Sequence, residues 1–407
     1  MSTSPTFRLI QQIEDGDLPK GFSFGSAACG IKPSGKLDVS LVTSQAPCSA
    51  AGVFTKNQIV AAPVVWCQDR TPSENIHAVI TNSGNANACT GEQGARDNEA
   101  MAKQVADKIG CEVDQVLVMS TGVIGKPLPM AKVLSGIDES SSETVSTADA
   151  FSSSAHAILT TDQDAKCVAA SLSIDGQTVR LAAMAKGAGM IAPNMATMLC
   201  VIMTDGLLPP SLARELISSV CDDTFNQASV DGHTSTNDTV LLLSSGQTGI
   251  ELEHHQDAFK KALHAVAEMI VKMLVADGEG ADRFMTIEVQ GTQTDNDARI
   301  VARSIGDSPL VKTAIYGCDP NWGRIVSAAG YSKATIDPNK TSLYLFDTPL
   351  YLNGQPVEFD DAALSQKMKD ASEVTIRLNA GEGPGRGKYY ASDLSVAYVR
   401  FNSEYTT

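Results

Sequence analysis

Short apolar runs at strand spacing alternate with stretches at helical spacing along the whole chain, which restricts it to a fold mixing sheets with helices. Lys36 to Ser44 places Leu37, Val39 and Leu41 on one face and reads as a strand, as do Ile76 to Thr81 and Gln115 to Ser120. Cys167 to Ile174, the turn Asp175-Gly176 and Gln177 to Met184 predict a hairpin, since Asp-Gly supplies the positive φ angles of a type I′ turn. Met198 to Thr204, Met285 to Val289 and Glu373 to Leu378 are further strands. Asp257 to Ala276 sets Phe259, Leu263, Val266, Ile270, Met273 and Leu274 on one helical face. Helices are also expected over Glu92 to Ile109 and from Pro209-Pro210 to about Cys221, and an exposed loop over Asp138 to Ser146. Spacing leaves α/β and α+β equally open.

Composition narrows the function classes. With 47 acidic against 31 basic residues, the formal net charge is −16, and no Lys/Arg cluster offsets it. Such a surface repels nucleic acid and anionic membranes and serves solubility. The nine cysteines contain no CxxC pair and match no zinc spacing, so buried, reduced thiols in a cytoplasmic protein are expected, with no metal. The N-terminal stretch has neither an apolar core nor an arginine-rich transit pattern, and no apolar run approaches the ~20 residues of a membrane span.

Several motifs fail on context. Gly21-Phe22-Ser23-Phe24-Gly25 matches the serine-hydrolase elbow, but a turn precedes it where a strand is required. Gly187-Ala188-Gly189-Met190-Ile191-Ala192 matches a loose dinucleotide fingerprint that needs a helix starting in the loop, and Pro193 opposes one. A non-catalytic nucleotide binder would rest on that loop. His254-His255 has no third ligand nearby. Two tracts echo each other, Asn82 to Asn87 and Asp231 to Asp238, both rich in the residues that make turns.

Lys186 to Leu199 runs from a strand through a glycine-rich turn and a proline into another strand. It contains Thr197. A threonine hydroxyl needs a base to become a nucleophile, and a threonine that begins a new chain has its own α-amine for that purpose. Such an amine, with a pKa near ~7.7–8.0, is poised to act at neutral pH. By itself the segment also reads as a plain glycine-rich turn.

The segment resembles the signature of the ornithine acetyltransferase family, the arginine-biosynthetic N-acetyltransferases, and other blocks follow in that family's order. These are Ala51-Gly52-Val53-Phe54-Thr55, Ala61-Ala62-Pro63-Val64, Asn82 to Gly91 and Ser120-Thr121-Gly122-Val123-Ile124-Gly125. Ser229-Val230-Asp231-Gly232, Asp277-Gly278-Glu279-Gly280-Ala281 and Asp319-Pro320-Asn321-Trp322-Gly323-Arg324 continue the series. The resemblance implies a layered α-β-β-α sandwich of the N-terminal-nucleophile-like type. It implies self-cleavage between Ala196 and Thr197, giving an α-chain of residues 1–196 and a β-chain of 197–407 that assemble as a heterotetramer of two each. Thr197 would carry an acetyl group from N-acetylornithine to glutamate, with Thr121 and Gly122 stabilising the oxyanion. Lys186 and Glu279 would contact substrate, with Thr160 or Thr161, Asn402 and Thr407. No cofactor is implied, and acetyl-CoA is left open as a second donor. An N-terminal-nucleophile aminopeptidase or amidase on the same scaffold, with water discharging the acyl group, is the alternative.

Overall fold

The computed structural model describes residues 6–192 and 198–404, so the expected Ala196-Thr197 junction, Pro193 and Thr407 lie outside the described residues. Two mixed sheets organise the chain. The larger, nine-stranded sheet runs in the order Thr6–Ile10, Lys166–Ile174, Gln177–Lys186, Leu199–Thr204, Thr239–Ser244, Val39–Phe54, Ser73–Asn85, Val116–Val123, and Phe22–Ala27 also pairs with Val39–Phe54. The smaller, seven-stranded sheet runs Gln355–Pro356, Thr348–Leu352, Ser342–Leu345, Glu373–Asn379, Phe284–Thr292, Gly385–Ser392, Ala228–Ser229.

Leu199–Thr204 and Thr239–Ser244 lie side by side in parallel at the centre of the larger sheet, and every residue of both is buried. Their unbroken apolar character follows from having both faces covered. The expected hairpin is Lys166–Ile174 against Gln177–Lys186, with Asp175 at φ 48° and Gly176 at φ 80°. The long helix is Gln256–Ala276, and it buries Phe259, Leu263, Val266, Ile270 and Leu274 at the expected spacing. Together with Pro210–Asp223 it fills an interior shared by both sheets, where Val168, Leu181, Ile202 and Leu242 of the larger meet Phe284 and Tyr390 of the smaller. A second core packs helices Asp295–Gly306, Pro309–Tyr316, Trp322–Gly330 and Asp361–Asp370 against Ile287, Ile376 and Tyr389 of the smaller sheet. The fold is thus the expected layered mixture of helices and sheets.

Three expectations need correction. Asp138 to Ser142 is not a loop but the end of helix Met130–Ser142, which buries Val133, Gly136, Ile137 and Ser140. A glycine and a serine occupy half of that buried face because Gly136 abuts Cys29 and Val39, where a Cβ would come within 2.9 Å of Cys29 and 2.8 Å of Val39. The thiols are all free, yet Cys89 is exposed rather than buried. The strand expected over Lys36 to Ser44 instead spans Val39–Phe54, bending to pair with Phe22–Ala27 at one end and Thr239–Ser244 at the other. Ser23 lies inside a strand, which removes the elbow, and Gly187 to Ala192 forms a bend rather than a helix. Among the described residues no helix is long and apolar enough to cross a membrane.

Candidate active site

Thr121 and Gly122 close the strand Val116–Val123, beside the parallel strand Ser73–Asn85. Gly122 at φ 132° faces Gly84 at φ 99°, and a Cβ on Gly122 would fall 2.3 Å from the Gly84 carbonyl carbon. Only two glycines let the strand ends approach this closely while the register slips at Asn85. The loop beyond is stapled by its own side chains. Asn82 Nδ2 donates to the Asn85 carbonyl at 2.8 Å, Ser120 Oγ donates to Asn82 Oδ1 at 2.6 Å, and Asn87 Nδ2 donates to the Gly94 carbonyl at 2.9 Å. From the second tract, Asn237 Nδ2 donates to the carbonyls of Ala86 at 2.7 Å and Ser120 at 2.9 Å. The two echoing tracts therefore meet, the second supplying a buried carbonyl of the first with a partner it would otherwise lack.

Lys186 ends the strand Gln177–Lys186, and the glycine-rich bend after it is held by carboxylates. The Gly187 N–H donates to Asp162 Oδ1 at 2.5 Å, and those of Met190 and Ile191 donate to Asp231 at 2.6 and 3.0 Å. Burial pushes the Asp231 carboxyl up, against the pull of these N–H donors. Glu279 follows the C-terminus of helix Gln256–Ala276, and its own N–H donates to the Ala188 carbonyl at 2.8 Å. Its carboxylate accepts from Thr161 Oγ1 at 2.7 Å and from Asn402 Nδ2 at 3.1 Å. Asn402 and Tyr398 arrive on the C-terminal helix Val396–Glu404, which meets Gly280 so closely that a Cβ there would lie 2.4 Å from the Tyr398 nitrogen. Burial, then Asp231 and Glu279, push the Tyr398 hydroxyl up to about 12.

These segments enclose one cavity of about 250 Å³, lined by Thr121, Gly122, Thr160, Thr161, Lys186, Glu279 and Asn402 together. Every described residue expected at the site is on its wall; Ala196, Thr197 and Thr407 are outside the described residues. Of the two threonines left open by sequence, Thr161 is the one whose hydroxyl reaches Glu279. The residue after Thr197 is fixed: the Met198 N–H donates to Asp238 Oδ1 at 3.1 Å. The Asp238 side chain is buried, and burial drives its carboxyl well above the usual range. Burial likewise lowers the Lys186 ammonium, with Asp162 opposing. Lys186, Glu279 and the hydroxyl-bearing Thr121, Thr160 and Thr161 thus share the wall of a space suited to a molecule of amino-acid size.

Sequence reasoning missed Asp231, His233, Ser235, Thr236, Asn237 and Tyr398 on this wall, and Asp162 behind it. The echo between the two tracts was the available signal for five of them, Asp231, His233, Ser235, Thr236 and Asn237 all lying in the second tract. Gly189 has a role that only packing reveals: a Cβ there would fall 2.5 Å from the Glu279 carboxyl group. Because Gly189 lies outside the left-handed region, Gly189→Ala should fold yet displace Glu279, lowering kcat/KM by about 10²-fold. Steady-state kinetics on the soluble variant check this, and unchanged values would mean that Glu279 need not sit where it does.

A larger cavity, about 670 Å³, lies on the smaller sheet and holds none of the expected residues. Its charges answer one another, Arg299 with Asp223 and Arg377 with Asp347, each at 2.5 Å. Glu251, Glu253 and His254 approach one another on the surface, all exposed, and form no enclosed metal pocket.

The family model described as the ArgJ family matches residues 23–407. The "Arginine biosynthesis bifunctional protein ArgJ" of Rhodopirellula baltica is 52% identical over 395 residues, covering 96% of this chain and 96% of that protein. The protein of the same name from Symbiobacterium thermophilum is 44% identical, covering 96% and 98%. A solved ornithine acetyltransferase of Mycobacterium tuberculosis, described as complexed with ornithine, is 41% identical over 48% of this chain and 100% of that one, with a TM-score of 0.44. With relatives matched end to end and the family pattern spanning all but its first residues, this chain belongs to the ArgJ family.

Proposed function

We propose that the chain moves an acetyl group from N-acetylornithine to glutamate by double displacement, with Thr197 as the carrier. As a member of the ArgJ family it is an acetyltransferase. The observation that carries the fuller reading is that seven residues from five separated parts of the sequence line one cavity of about 250 Å³. Cleavage between Ala196 and Thr197 would free the Thr197 α-amine. That amine takes the hydroxyl proton as Thr197 Oγ attacks the acetyl carbonyl. Donors at Thr121 and Gly122 stabilise the oxyanion, an effect worth roughly 3–4 kcal/mol per donor when aimed at developing charge. Collapse breaks the C–N bond, and ornithine's amine leaves with the proton. Glutamate's amine then attacks the acetyl ester, Thr197 Oγ departs and recovers a proton, and N-acetylglutamate forms.

Lys186 binds the α-carboxylate that both substrates share. Glu279, oriented by Thr161 and Asn402, faces an ammonium or relays the proton. The chemistry asks for no metal or cofactor, and acetyl-CoA remains a candidate second donor. The two chains 1–196 and 197–407 would remain associated, two of each, in a cytoplasmic setting that accords with nine free thiols.

Initial rates at varied N-acetylornithine and glutamate test the reading against a hydrolase on the same scaffold. Parallel double-reciprocal lines with little acetate released are expected. Acetate appearing as fast without glutamate as with it would favour the hydrolase.

A further inference from the structure

Three of the parts that build the cavity are tied together behind it by a group of buried charges. Asp162, whose side chain is fully buried, accepts at Oδ1 from Lys166 Nζ at 2.6 Å and from the Gly187 N–H at 2.5 Å. Its Oδ2 accepts from the Thr160 N–H at 3.0 Å and lies 3.8 Å from Lys186 Nζ. Lys166 also pairs with Asp277, whose carboxylate accepts the Gln163 N–H at 3.0 Å, two residues before Glu279. The Thr160-Thr161, Lys186-Gly187 and Asp277 to Glu279 segments are therefore joined through one carboxylate and one lysine.

The distances divide the two lysines. Lys166 is held in direct ion pairs and is buried away from the cavity wall. Lys186 is on the wall, and at 3.8 Å its ammonium is beyond hydrogen-bond reach of Asp162 while still inside its field. Among the described residues Lys186 Nζ has no other carboxylate within ion-pair distance.

We infer that Asp162 is a positioning residue for acetyl transfer: from 3.8 Å behind Lys186 its carboxylate holds that ammonium on the cavity wall for the substrate carboxylate, without touching substrate. The inference rests on Lys186 being that carboxylate's partner, as proposed above. The charged groups acting on Lys186 are Asp162, Lys166, Glu279, Asp238 and Lys32. Burial lowers the Lys186 pKa, Asp162 counters burial, and Lys166 works with burial as a like charge.

The two neighbours therefore have opposite signs. Carboxylate binding needs the ammonium, so it is lost as pH rises through the Lys186 pKa and gives an alkaline limb in kcat/KM. Asp162→Asn should move that limb to lower pH by about one unit or more, and raise KM for both N-acetylornithine and glutamate far more than it lowers kcat. Lys166→Met should move the limb the other way. A purely structural role would lower soluble yield and kcat and leave the limb in place.

The experiment is the pH profile of kcat/KM for the wild-type chain, Asp162→Asn, Lys166→Met and Lys186→Ala, with thermal melting of each. Limbs displaced in opposite directions are the expected result. An unmoved limb in both neighbours, or displacement in the same direction, overturns the inference. Should Asp162→Asn fail to fold, Lys166→Met decides alone, and an unmoved or lowered limb overturns it. Lys186→Ala with unchanged KM for both substrates would instead overturn the assignment beneath.

Discussion

Thr197→Ala is expected to yield one uncut chain of 407 residues with no acetyl transfer above background, because in the proposed mechanism one hydroxyl serves both cleavage and chemistry. The wild-type protein should separate into fragments 1–196 and 197–407, and N-terminal sequencing of the second should begin Thr-Met-Leu-Cys. Thr197→Ser keeps the hydroxyl and loses only a methyl group, so it should still cut, more slowly. The neighbouring structure suits this assignment: Met198 is anchored by Asp238 and leads into a fully buried strand. Intact-mass measurement checks both variants. Normal cleavage of the alanine variant would move the nucleophile elsewhere.

The second large effect is expected at Thr121. Thr121→Ala should reduce kcat by roughly 10²–10³-fold and disturb KM far less, since an oxyanion donor strengthens only in the transition state. Thr121 stands beside the Gly122–Gly84 contact, so its position is set by backbone packing that an alanine at 121 leaves intact. Thr121 is buried at 5% exposure, and the substitution removes few contacts with solvent. A mainly KM effect would make Thr121 a ground-state contact.

Much of the fold was legible because local rules and burial agree there. The Asp175-Gly176 turn, the apolar stripe of Gln256–Ala276 and the proline start of Pro210–Asp223 each carry a signal that survives into the structure. The helix Met130–Ser142 was missed because its buried face uses Gly136 and Ser140, small residues chosen for close approach rather than hydrophobicity.

The site was legible in a different way. Thr121, Lys186, Glu279 and Asn402 came from the resemblance, and nothing in their spacing could bring them to one cavity. Their supports were hidden, because a residue such as Asn237 or Asp231 is defined by partners far away in sequence. Asn237 serves the carbonyls of Ala86 and Ser120, and Asp231 serves the N–H groups of Met190 and Ile191. The block Asp319 to Arg324 is similarly explained only in three dimensions. Asn321 accepts from the Arg324 N–H to cap its helix, Trp322 stacks on Tyr351 at 5.5 Å, and Arg324 donates to the Leu310 carbonyl at 3.0 Å. It fastens the helix Pro309–Tyr316, whose buried Lys312 donates to the Val230 carbonyl at 2.9 Å, one residue from Asp231.

In the proposed mechanism an acetyl group rests on the second fragment between two amino acids. Mass measurement of fragment 197–407 after mixing with N-acetylornithine alone, and again after adding glutamate, tests it most directly. One added acetyl group on Thr197, with free ornithine released, should appear first. Glutamate should then restore the unmodified mass while N-acetylglutamate forms in equal amount. A fragment that never gains the acetyl group, or one that loses it as quickly to water as to glutamate, would contradict the account.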